Sequence, residues 1–213
     1  MPSKAILFDL DGTLADTAPD LGAALNHLRI KEGLPPLALQ EFRSYASSGA
    51  RGLLKVGFGL LPEDSRYESM RNAFLDFYEA HICVESRLFA GMAELLGAIE
   101  QRGLRWGVVT NKSKRFTPRV LATLQVDKRA ACIVCGDSTP HLKPHPASLQ
   151  LAARELELDP AECVYVGDDL RDIQAARAAG MPSVAAGWGY GAALESWQAD
   201  RIAVHPTDLI PAL

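Results

Sequence analysis

Two aspartates, two positions apart, are the residues in this sequence whose types and spacing most clearly indicate chemistry. Asp9 follows the apolar run 5–8, and Asp11 precedes Gly12. If that run is a buried strand, Asp9 lies at its carboxyl end, and a turn at Gly12 directs Asp11 back to the same side. Carboxylates this close repel each other unless a cation or a shared proton offsets their charge. The pair predicts a metal-binding or acid–base site; the alternative is an ordinary strand-to-helix turn in which Asp and Thr cap the helix and nothing reacts.

Other polar residues follow later strand candidates. Thr110 and Asn111 follow RWGVV. Lys143 lies in the loop HLKPHP, and Asp168 follows CVYVG. A hydroxyl, an amide, an ammonium group and carboxylates that converge can together bind a phosphate group and a hard divalent cation. Mg²⁺ prefers oxygen ligands and is commonly held by one or two carboxylates with a substrate phosphate, so these residues predict a site for a phosphate ester and Mg²⁺.

Alternating helix and strand patterns from Leu88 onward indicate how these residues are positioned. In chain order they are a helix over 91–102, a strand over 105–110, a helix over 115–125, a strand over 131–135, a helix over 146–156, a strand over 163–167, a helix over 170–179 and a strand over 183–186. This order predicts an α/β fold: a doubly wound, Rossmann-like parallel sheet covered by helices. Ligands bind such sheets outside the carboxyl ends of the strands.

The segment between the first motif and Leu88 has a helical pattern throughout. Apolar residues recur at three- and four-residue spacing over 18–31, 38–45, 50–60 and 64–82. We therefore predict an α/β core domain formed by residues 1–16 and 87–213, with residues 17–84 inserted as a small α-helical cap domain.

The two connections to the predicted cap are expected to act as hinges. They lie at Asp16-Thr17 and near Glu85, and a cap hinged there could close over Asp9 as a lid. Asp16 is also expected to cap the first inserted helix.

Composition and charge exclude several classes of protein. The 213 residues are 48% hydrophobic and carry a net charge of −4 without a dense lysine and arginine cluster, so nucleic acid is not an expected partner. No apolar stretch approaches the roughly twenty residues of a membrane span, and the N-terminus has no signal-peptide pattern, so we expect a cytoplasmic protein without membrane contact. The four cysteines are expected to be buried free thiols: Cys83, Cys132, Cys135 and Cys163.

Four separate segments resemble the motifs of the haloacid dehalogenase superfamily of phosphatases. They are LFDLDGTLADT, VVTNK, the lysine of LKPHP and VGDDLRD, in the family's order. The helical insertion resembles the family's alpha-helical cap. The chain looks like the phosphoglycolate phosphatase branch, and SGAR, LFAGM, WGVVTNK and VGDDLRD look most like its N-acetylmuramic acid 6-phosphate phosphatases. The resemblance implies a Mg²⁺-dependent hydrolase of a small phosphate ester, with 2-phosphoglycolate or N-acetylmuramic acid 6-phosphate as substrate.

The resemblance also implies a role for each matching residue. Asp9 would be the nucleophile that attacks phosphorus to form an aspartyl-phosphate. Asp11 would be the general acid and then the base that activates water. The Asp9 carboxylate, the main-chain carbonyl of Asp11 and the Asp168 carboxylate would hold Mg²⁺. The groups that would bind the phosphoryl oxygens are the Thr110 hydroxyl, the backbone at Asn111 and the Lys143 ammonium.

Several neighbouring residues have two possible roles. Arg51, in SSGARGLL, would hold a substrate carboxylate if it faces the site, and otherwise lies in solvent. Asp172 is expected to support Lys143 or metal-bound water, and Asp169 either caps a helix or joins the site. The segment GWGYG at 187–191 lacks the G-x-G-x-x-G spacing of a dinucleotide site.

Alternative functions share this predicted fold. A phosphosugar mutase of the β-phosphoglucomutase type would have the same core and cap, but this cap has no arginine- and lysine-rich stretch of the kind those mutases use. A dehalogenase would have no acidic residue at the position that Asp11 occupies, two residues after the nucleophile. A non-catalytic phosphate-sensing module would have lost Asp9, Asp11 or Lys143, and all three are present. A monomer and a homodimer are both compatible with the sequence.

Overall fold

The centre of the molecule is a six-stranded parallel sheet, seen in a computed structural model that describes residues 3–212. Across the sheet, the strands are β5 (Ile133–Val134), β4 (Arg105–Val109), β1 (Ala5–Phe8), β6 (Cys163–Gly167), β7 (Ser183–Ala186) and β8 (Arg201–Ala203). The predicted doubly wound α/β fold is confirmed. Because β1 lies between β4 and β6, the residues that follow these three strands meet at one edge of the sheet.

Strand β1 is apolar on both faces because helices cover both sides of the sheet. Ile6 and Phe8 pack in one cluster of buried side chains, with residues of α5 (Met92–Gln101) and α6 (Thr117–Thr123). Leu7 packs on the opposite face, as the alternation of side chains along a strand requires. The helices on Leu7's face are α7 (Ala147–Glu155) and α8 (Leu170–Ala179).

The inserted helices share an apolar core of their own. They are α1 (Ala18–Lys31), α2 (Leu39–Phe42), α3 (Gly49–Phe58) and α4 (Tyr67–Ala80), with a 3₁₀ helix over Arg43–Ser48. Leu25, Leu53 and Phe74 are completely buried in this core. Phe116 and Tyr190, which lie outside the insertion in sequence, also belong to it, so the insertion packs against the sheet domain through these two aromatic rings.

A short antiparallel pair joins the insertion to the sheet domain. It consists of β2 (Ala15–Asp16) and β3 (Arg87–Leu88), and neither strand was predicted because two residues are too few to show a pattern. The expectation that Asp16 caps α1 was wrong: the N-cap residue is Thr17. The Asp16 carboxylate instead forms an ion pair with Arg43, with Nη1 2.9 Å from Oδ2.

Several element boundaries differ from the predicted ones. The helix predicted over 38–45 is divided between α2 and the 3₁₀ helix, and the strand predicted over 131–135 is reduced to the two residues of β5. Strand β8 was not predicted because two of its three residues are exposed. The four cysteines are buried free thiols, as predicted. Among residues 3–212, no helix has the length and apolar character needed to cross a membrane.

Candidate active site

Asp9 lies directly after the central strand and belongs to a buried cluster of carboxylates. Its backbone N–H donates to the carbonyl of Val166 at 2.9 Å, which extends the β1–β6 pairing by one residue. One carboxylate oxygen each from Asp9, Asp168 and Asp172 lies within 4.8 Å of the others. Burial raises the pKa of Asp9 to about 6 although Lys143 lowers it, and burial with the neighbouring carboxylates raises that of Asp168 well above its usual value.

Lys143 supplies the positive charge next to this cluster. Its Nζ lies 2.7 Å from Oδ1 of Asp172 and 2.9 Å from Oδ1 of Asp9. The ammonium also donates to the carbonyl of Val109 at 3.1 Å and to the hydroxyl of Tyr165 at 2.6 Å. Burial disfavours the charged form of Lys143, but the attraction of Asp172 and Asp9 exceeds this effect and raises its pKa.

The cluster fits a hard divalent cation. Oδ1 of Asp9 is buried, and although it lies 2.9 Å from Nζ of Lys143, no group among residues 3–212 donates a well-aligned hydrogen bond to it. Three carboxylates face one ammonium, and oxygen-rich sites with excess negative charge suit Mg²⁺.

The position of Asp168 depends on a tight turn after β1. The carboxylate accepts from the Thr13 hydroxyl at 2.7 Å and from the backbone N–H of Tyr190 at 2.9 Å. Gly12 has a φ of +87°, and a Cβ on it would lie 2.2 Å from Oδ2 of Asp168. Only glycine allows this approach, so Gly12 is required by both its backbone angle and its neighbour.

The Asp11 side chain lies outside the carboxylate cluster. Oδ1 of Asp11 accepts from the Thr17 hydroxyl at 2.6 Å and lies 3.0 Å from Nζ of Lys112. We predicted a metal role only for the main-chain carbonyl of Asp11, and the third carboxylate in the cluster is that of Asp172. Asp172 is expected to support Lys143 or metal-bound water, and its carboxylate contacts the Lys143 ammonium directly.

Thr110 and Asn111 follow β4 at the same edge of the sheet. Thr110 is buried, and its backbone N–H donates to the carbonyl of Val134 at 2.9 Å. The Asn111 side chain binds the backbone of Lys143 on both sides, accepting from its N–H at 2.9 Å and donating to its carbonyl at 3.1 Å. The Asn111 amide thus fixes the loop that carries the lysine.

A cavity of about 520 Å³ lies between the inserted helices and the sheet edge. The predicted site residues that line it are Asp9, Asp11, Arg51, Thr110, Asn111 and Lys143. Arg51 is the third residue of α3 and is exposed within this cavity, so the structure brings it to the same space as Asp9. Asp168 is completely buried behind the lining residues.

Asp169 is the N-cap of α8. Its side chain accepts from the backbone N–H of Arg171 at 2.9 Å and forms an ion pair with the same residue's guanidinium. Nη2 of Arg171 donates to the carbonyl of Ser47 at 2.9 Å, which connects α8 to the inserted segment. Asp169 thus caps the helix, and it also lines the cavity that contains Asp9.

Sequence reasoning missed several residues at the site, Lys112 and Tyr165 among them. Lys112 follows Asn111 directly within VVTNK, so its place in that segment could have indicated it. Tyr165 is in the middle of β6 and has the sequence context of an ordinary core residue, and only the side-chain direction shows that its hydroxyl meets Lys143.

Comparisons with known proteins agree with this arrangement. The family model described as haloacid dehalogenase-like hydrolase matches residues 6–186. A protein of Pseudomonas aeruginosa named N-acetylmuramic acid 6-phosphate phosphatase is 44% identical over 216 residues, which cover 100% of this chain and 96% of the relative. A phosphoglycolate phosphatase of Xanthomonas campestris is also 44% identical, over 97% of this chain and 94% of its own length.

A solved structure shows the same architecture. It is that of a predicted phosphoglycolate phosphatase from Haemophilus somnus, with 28% identity and a TM-score of 0.87, and the match covers 98% of this chain and 97% of that one. The predicted membership of an enzyme family is confirmed. On these matches and on the order of its motifs, the chain belongs to the haloacid dehalogenase-like hydrolase family.

Proposed function

We propose that this protein is a Mg²⁺-dependent phosphomonoester hydrolase that works through an aspartyl-phosphate on Asp9. The observation that carries the proposal is the surroundings of the Asp9 carboxylate. It is buried at the floor of the cavity, 2.9 Å from Lys143, and one of its oxygens has no hydrogen-bond donor among residues 3–212. A carboxylate held this way can approach an anionic phosphate only if positive charge offsets both.

The chemistry of the proposal divides between two acids. An oxygen of Asp9 attacks phosphorus, the bond from phosphorus to the ester oxygen breaks, and Asp11 gives the departing alcohol its proton. A water then attacks phosphorus, Asp11 accepts the proton of that water, and the bond to Asp9 breaks to release phosphate. The hydroxyl of Thr17 and the ammonium of Lys112 orient Asp11 for this work.

The remaining groups stabilise charge on the transferring phosphoryl group. Lys143, the Thr110 hydroxyl and the backbone at Asn111 would bind its oxygens, as preorganised donors do in phosphoryl transfer. Asp9, Asp168 and the main-chain carbonyl of Asp11 would hold Mg²⁺. When bound, Mg²⁺ would supply positive charge that offsets the repulsion between the carboxylates and the phosphate.

Residues 17–84 would act as the cap of this enzyme. The inserted segment forms part of the cavity wall. Ser47, Arg51 and Tyr78 are among the residues that it contributes. A cap that excludes water would strengthen the electrostatic interactions below it.

A small metabolite that carries a carboxylate is the proposed substrate. The similar proteins are named for N-acetylmuramic acid 6-phosphate and for phosphoglycolate, and both compounds have a carboxylate. Arg51 lines the cavity, and the side-chain ion pairs of residues 3–212 include none with Arg51. A free guanidinium there suits bidentate binding of a carboxylate.

A panel of phosphate esters tests the proposal. Phosphate release would be measured with Mg²⁺ for 2-phosphoglycolate, N-acetylmuramic acid 6-phosphate, hexose phosphates and nucleotides, with the Asp9→Asn protein as the background control. We expect the highest kcat/KM for one of the two carboxylate-bearing esters. No release from any ester above that background would contradict the proposal, and transfer of phosphate to a sugar instead of water would favour a mutase.

A further inference from the structure

The segment GWGYG, 187–191, wraps around Asp168 although it is distant from it in sequence. A Cβ on Gly189 would lie 2.2 Å from Cβ of Asp168, and one on Gly191 would lie 2.2 Å from the Asp168 carbonyl oxygen. The two glycines therefore let the backbone between them approach closely. This approach brings the backbone N–H of Tyr190 to 2.9 Å from Oδ2 of Asp168.

The hydroxyl at the other end of Tyr190 holds the start of the cap. It accepts from the backbone N–H groups of Thr17 and Ala18, at 2.8 and 2.9 Å. It donates to Oδ1 of Asp16 at 2.8 Å. The first N–H groups of a helix have no partner inside the helix, so this hydroxyl satisfies two such groups at the start of α1, where Asp16 is expected from the sequence to act as the cap.

The ring of Tyr190 contacts the inserted segment as well. The guanidinium of Arg43, in the 3₁₀ helix, lies 4.8 Å from the ring centroid, within cation–π range. The same guanidinium pairs with Asp16 at 2.9 Å. One side chain of the sheet domain thus contacts the first connection, the first inserted helix and an arginine of the insertion.

We propose that Tyr190 is a positioning residue that couples the cap hinge to the catalytic carboxylates. Its backbone fixes Asp168, and its hydroxyl fixes the backbone of Thr17, whose side chain donates to Asp11. A movement of α1 away from the sheet domain breaks the hydroxyl contacts and displaces the group that orients Asp11. The effect of Tyr190 on turnover rests on the proposed function, while its effect on the hinge does not.

Removal of the hydroxyl alone tests this role. Tyr190→Phe keeps the ring over which Arg43 lies and the backbone N–H that Asp168 accepts, but it leaves the N–H groups of Thr17 and Ala18 without an acceptor. We expect about a tenfold lower kcat with KM changed less than threefold, the size that loss of one or two hydrogen bonds produces. Tyr45→Phe is the matched control, because Tyr45 is 40% exposed in the same inserted segment and does not line the cavity.

Hydrogen exchange followed by mass spectrometry gives a readout that activity does not. The segment 43–51 contacts the sheet domain through the carbonyl and hydroxyl of Ser47, so faster exchange there reports a displaced cap. We expect exchange in 43–51 to be at least threefold faster in Tyr190→Phe than in Tyr45→Phe, with the strands β1 and β6 unchanged. A kcat within twofold of the wild type, or a reduced kcat with unchanged exchange in 43–51, would overturn the proposal.

Two further arms keep the test decisive. If Tyr190→Phe does not fold, Asp16→Asn replaces it. That variant removes the charge that pairs with Arg43 and that accepts the hydrogen bond of the Tyr190 hydroxyl. Unchanged kcat and unchanged exchange in Asp16→Asn would overturn the proposal. If wild-type protein hydrolyses none of the esters, the proposed function fails. The exchange comparison would then still decide whether Tyr190 fixes the hinge.

Discussion

Nζ of Lys143 lies 2.7 Å from Oδ1 of Asp172, and the two side chains are only 2% and 1% exposed. Asp172 is on the first turn of α8, where its other oxygen accepts from the backbone N–H of Asp169 at 3.0 Å. The helix start therefore fixes the carboxylate, and the carboxylate fixes the ammonium that faces Asp9. We therefore expect Asp172 to act on the reaction through the position of Lys143.

Asp172→Asn is expected to weaken both stability and activity. Removal of one partner of a buried ion pair costs about 3–5 kcal/mol, and because Lys143 keeps Asp9 as a partner we expect about 2 kcal/mol here. We also expect kcat to fall at least tenfold as the ammonium loses its fixed position. Urea unfolding and steady-state kinetics measure these effects. Asp169→Asn, which keeps a good N-cap residue in the same turn, should cost less than about 1 kcal/mol; equal losses in both variants would contradict the role of Asp172.

Asp9→Asn should abolish turnover without loss of stability. Burial raises the pKa of Asp9 in the folded protein to about 6, so above the pKa of the unfolded chain its ionised form destabilises the fold in metal-free buffer. Replacement by a neutral amide removes this penalty at pH 7. We expect phosphate release to fall to background and the urea midpoint with EDTA to stay the same or rise. Asp11→Asn should also be inactive; an active Asp9→Asn protein would exclude the aspartyl-phosphate.

The meeting of the main candidate residues could be predicted because the backbone alone determines it. Asp9, Thr110 and Asp168 each follow a strand, and parallel order places those strand ends at one edge of the sheet. The helices and strands of the core could be predicted from the spacing of apolar residues along the sequence. This meeting point could be predicted without knowing which way each side chain points.

What could not be predicted depends on contacts between distant segments. The backbone at the start of α1 donates to the hydroxyl of Tyr190, which is 173 positions from Thr17 in the sequence. Nothing near Asp16 in the sequence indicates that Tyr190 takes the capping place expected for Asp16. Likewise, Tyr165 has the context of an apolar strand residue, and Lys112 turns toward Asp11 only because the loop after β4 brings it there.

Mg²⁺ should stabilise the folded protein through the carboxylate cluster. A cation that binds only the folded state adds about 2.7 kcal/mol at a concentration one hundred times its Kd, so thermal unfolding of the wild type should shift upward as Mg²⁺ is titrated. Asp168→Asn is expected to abolish the shift, since Asp168 is the proposed ligand that Lys143 does not pair with. The comparison requires no substrate. If Mg²⁺ raises the unfolding temperature of the Asp168→Asn protein as much as that of the wild type, the cation does not bind at Asp168.

Arg51→Ala should raise KM selectively. If the guanidinium binds the substrate carboxylate, loss of a charge-assisted contact costs about 1.5–3 kcal/mol, or roughly ten- to a hundredfold in KM for a carboxylate-bearing ester. A phosphate ester without a carboxylate should be affected less than threefold. Arg66→Ala is the control, because Arg66 pairs with Glu32 on the exposed surface of the inserted helices and does not line the cavity. Equal changes for both kinds of ester would reject the carboxylate contact.

The proposed closure of residues 17–84 over the cavity should be sensitive to salt because of a surface ion-pair cluster. Nη2 of Arg115, which precedes α6, lies 2.7 Å from Oδ1 of Asp76 and 2.6 Å from Oε2 of Glu79, both on α4. These side chains are partly exposed, so added salt screens their attraction over a Debye length of about 8 Å at physiological ionic strength. Glu79→Gln should raise KM two- to threefold at low salt, and the difference from wild type should disappear at high salt.

The same pair has a defined pH dependence. Its hydrogen bonds with Arg115 hold the pKa of Glu79 below its usual value, so the ion pair persists at neutral pH and is lost as the pH falls through that lowered pKa. The KM difference between Glu79→Gln and wild type should therefore be present at pH 7 and shrink in acid. Glu68→Gln is the matched control, because Glu68 is on the same helix and its one ion pair among residues 3–212 is with Arg71 of that helix. If Glu68→Gln changes the salt dependence of KM as much as Glu79→Gln does, the contact between α4 and Arg115 does not control closure.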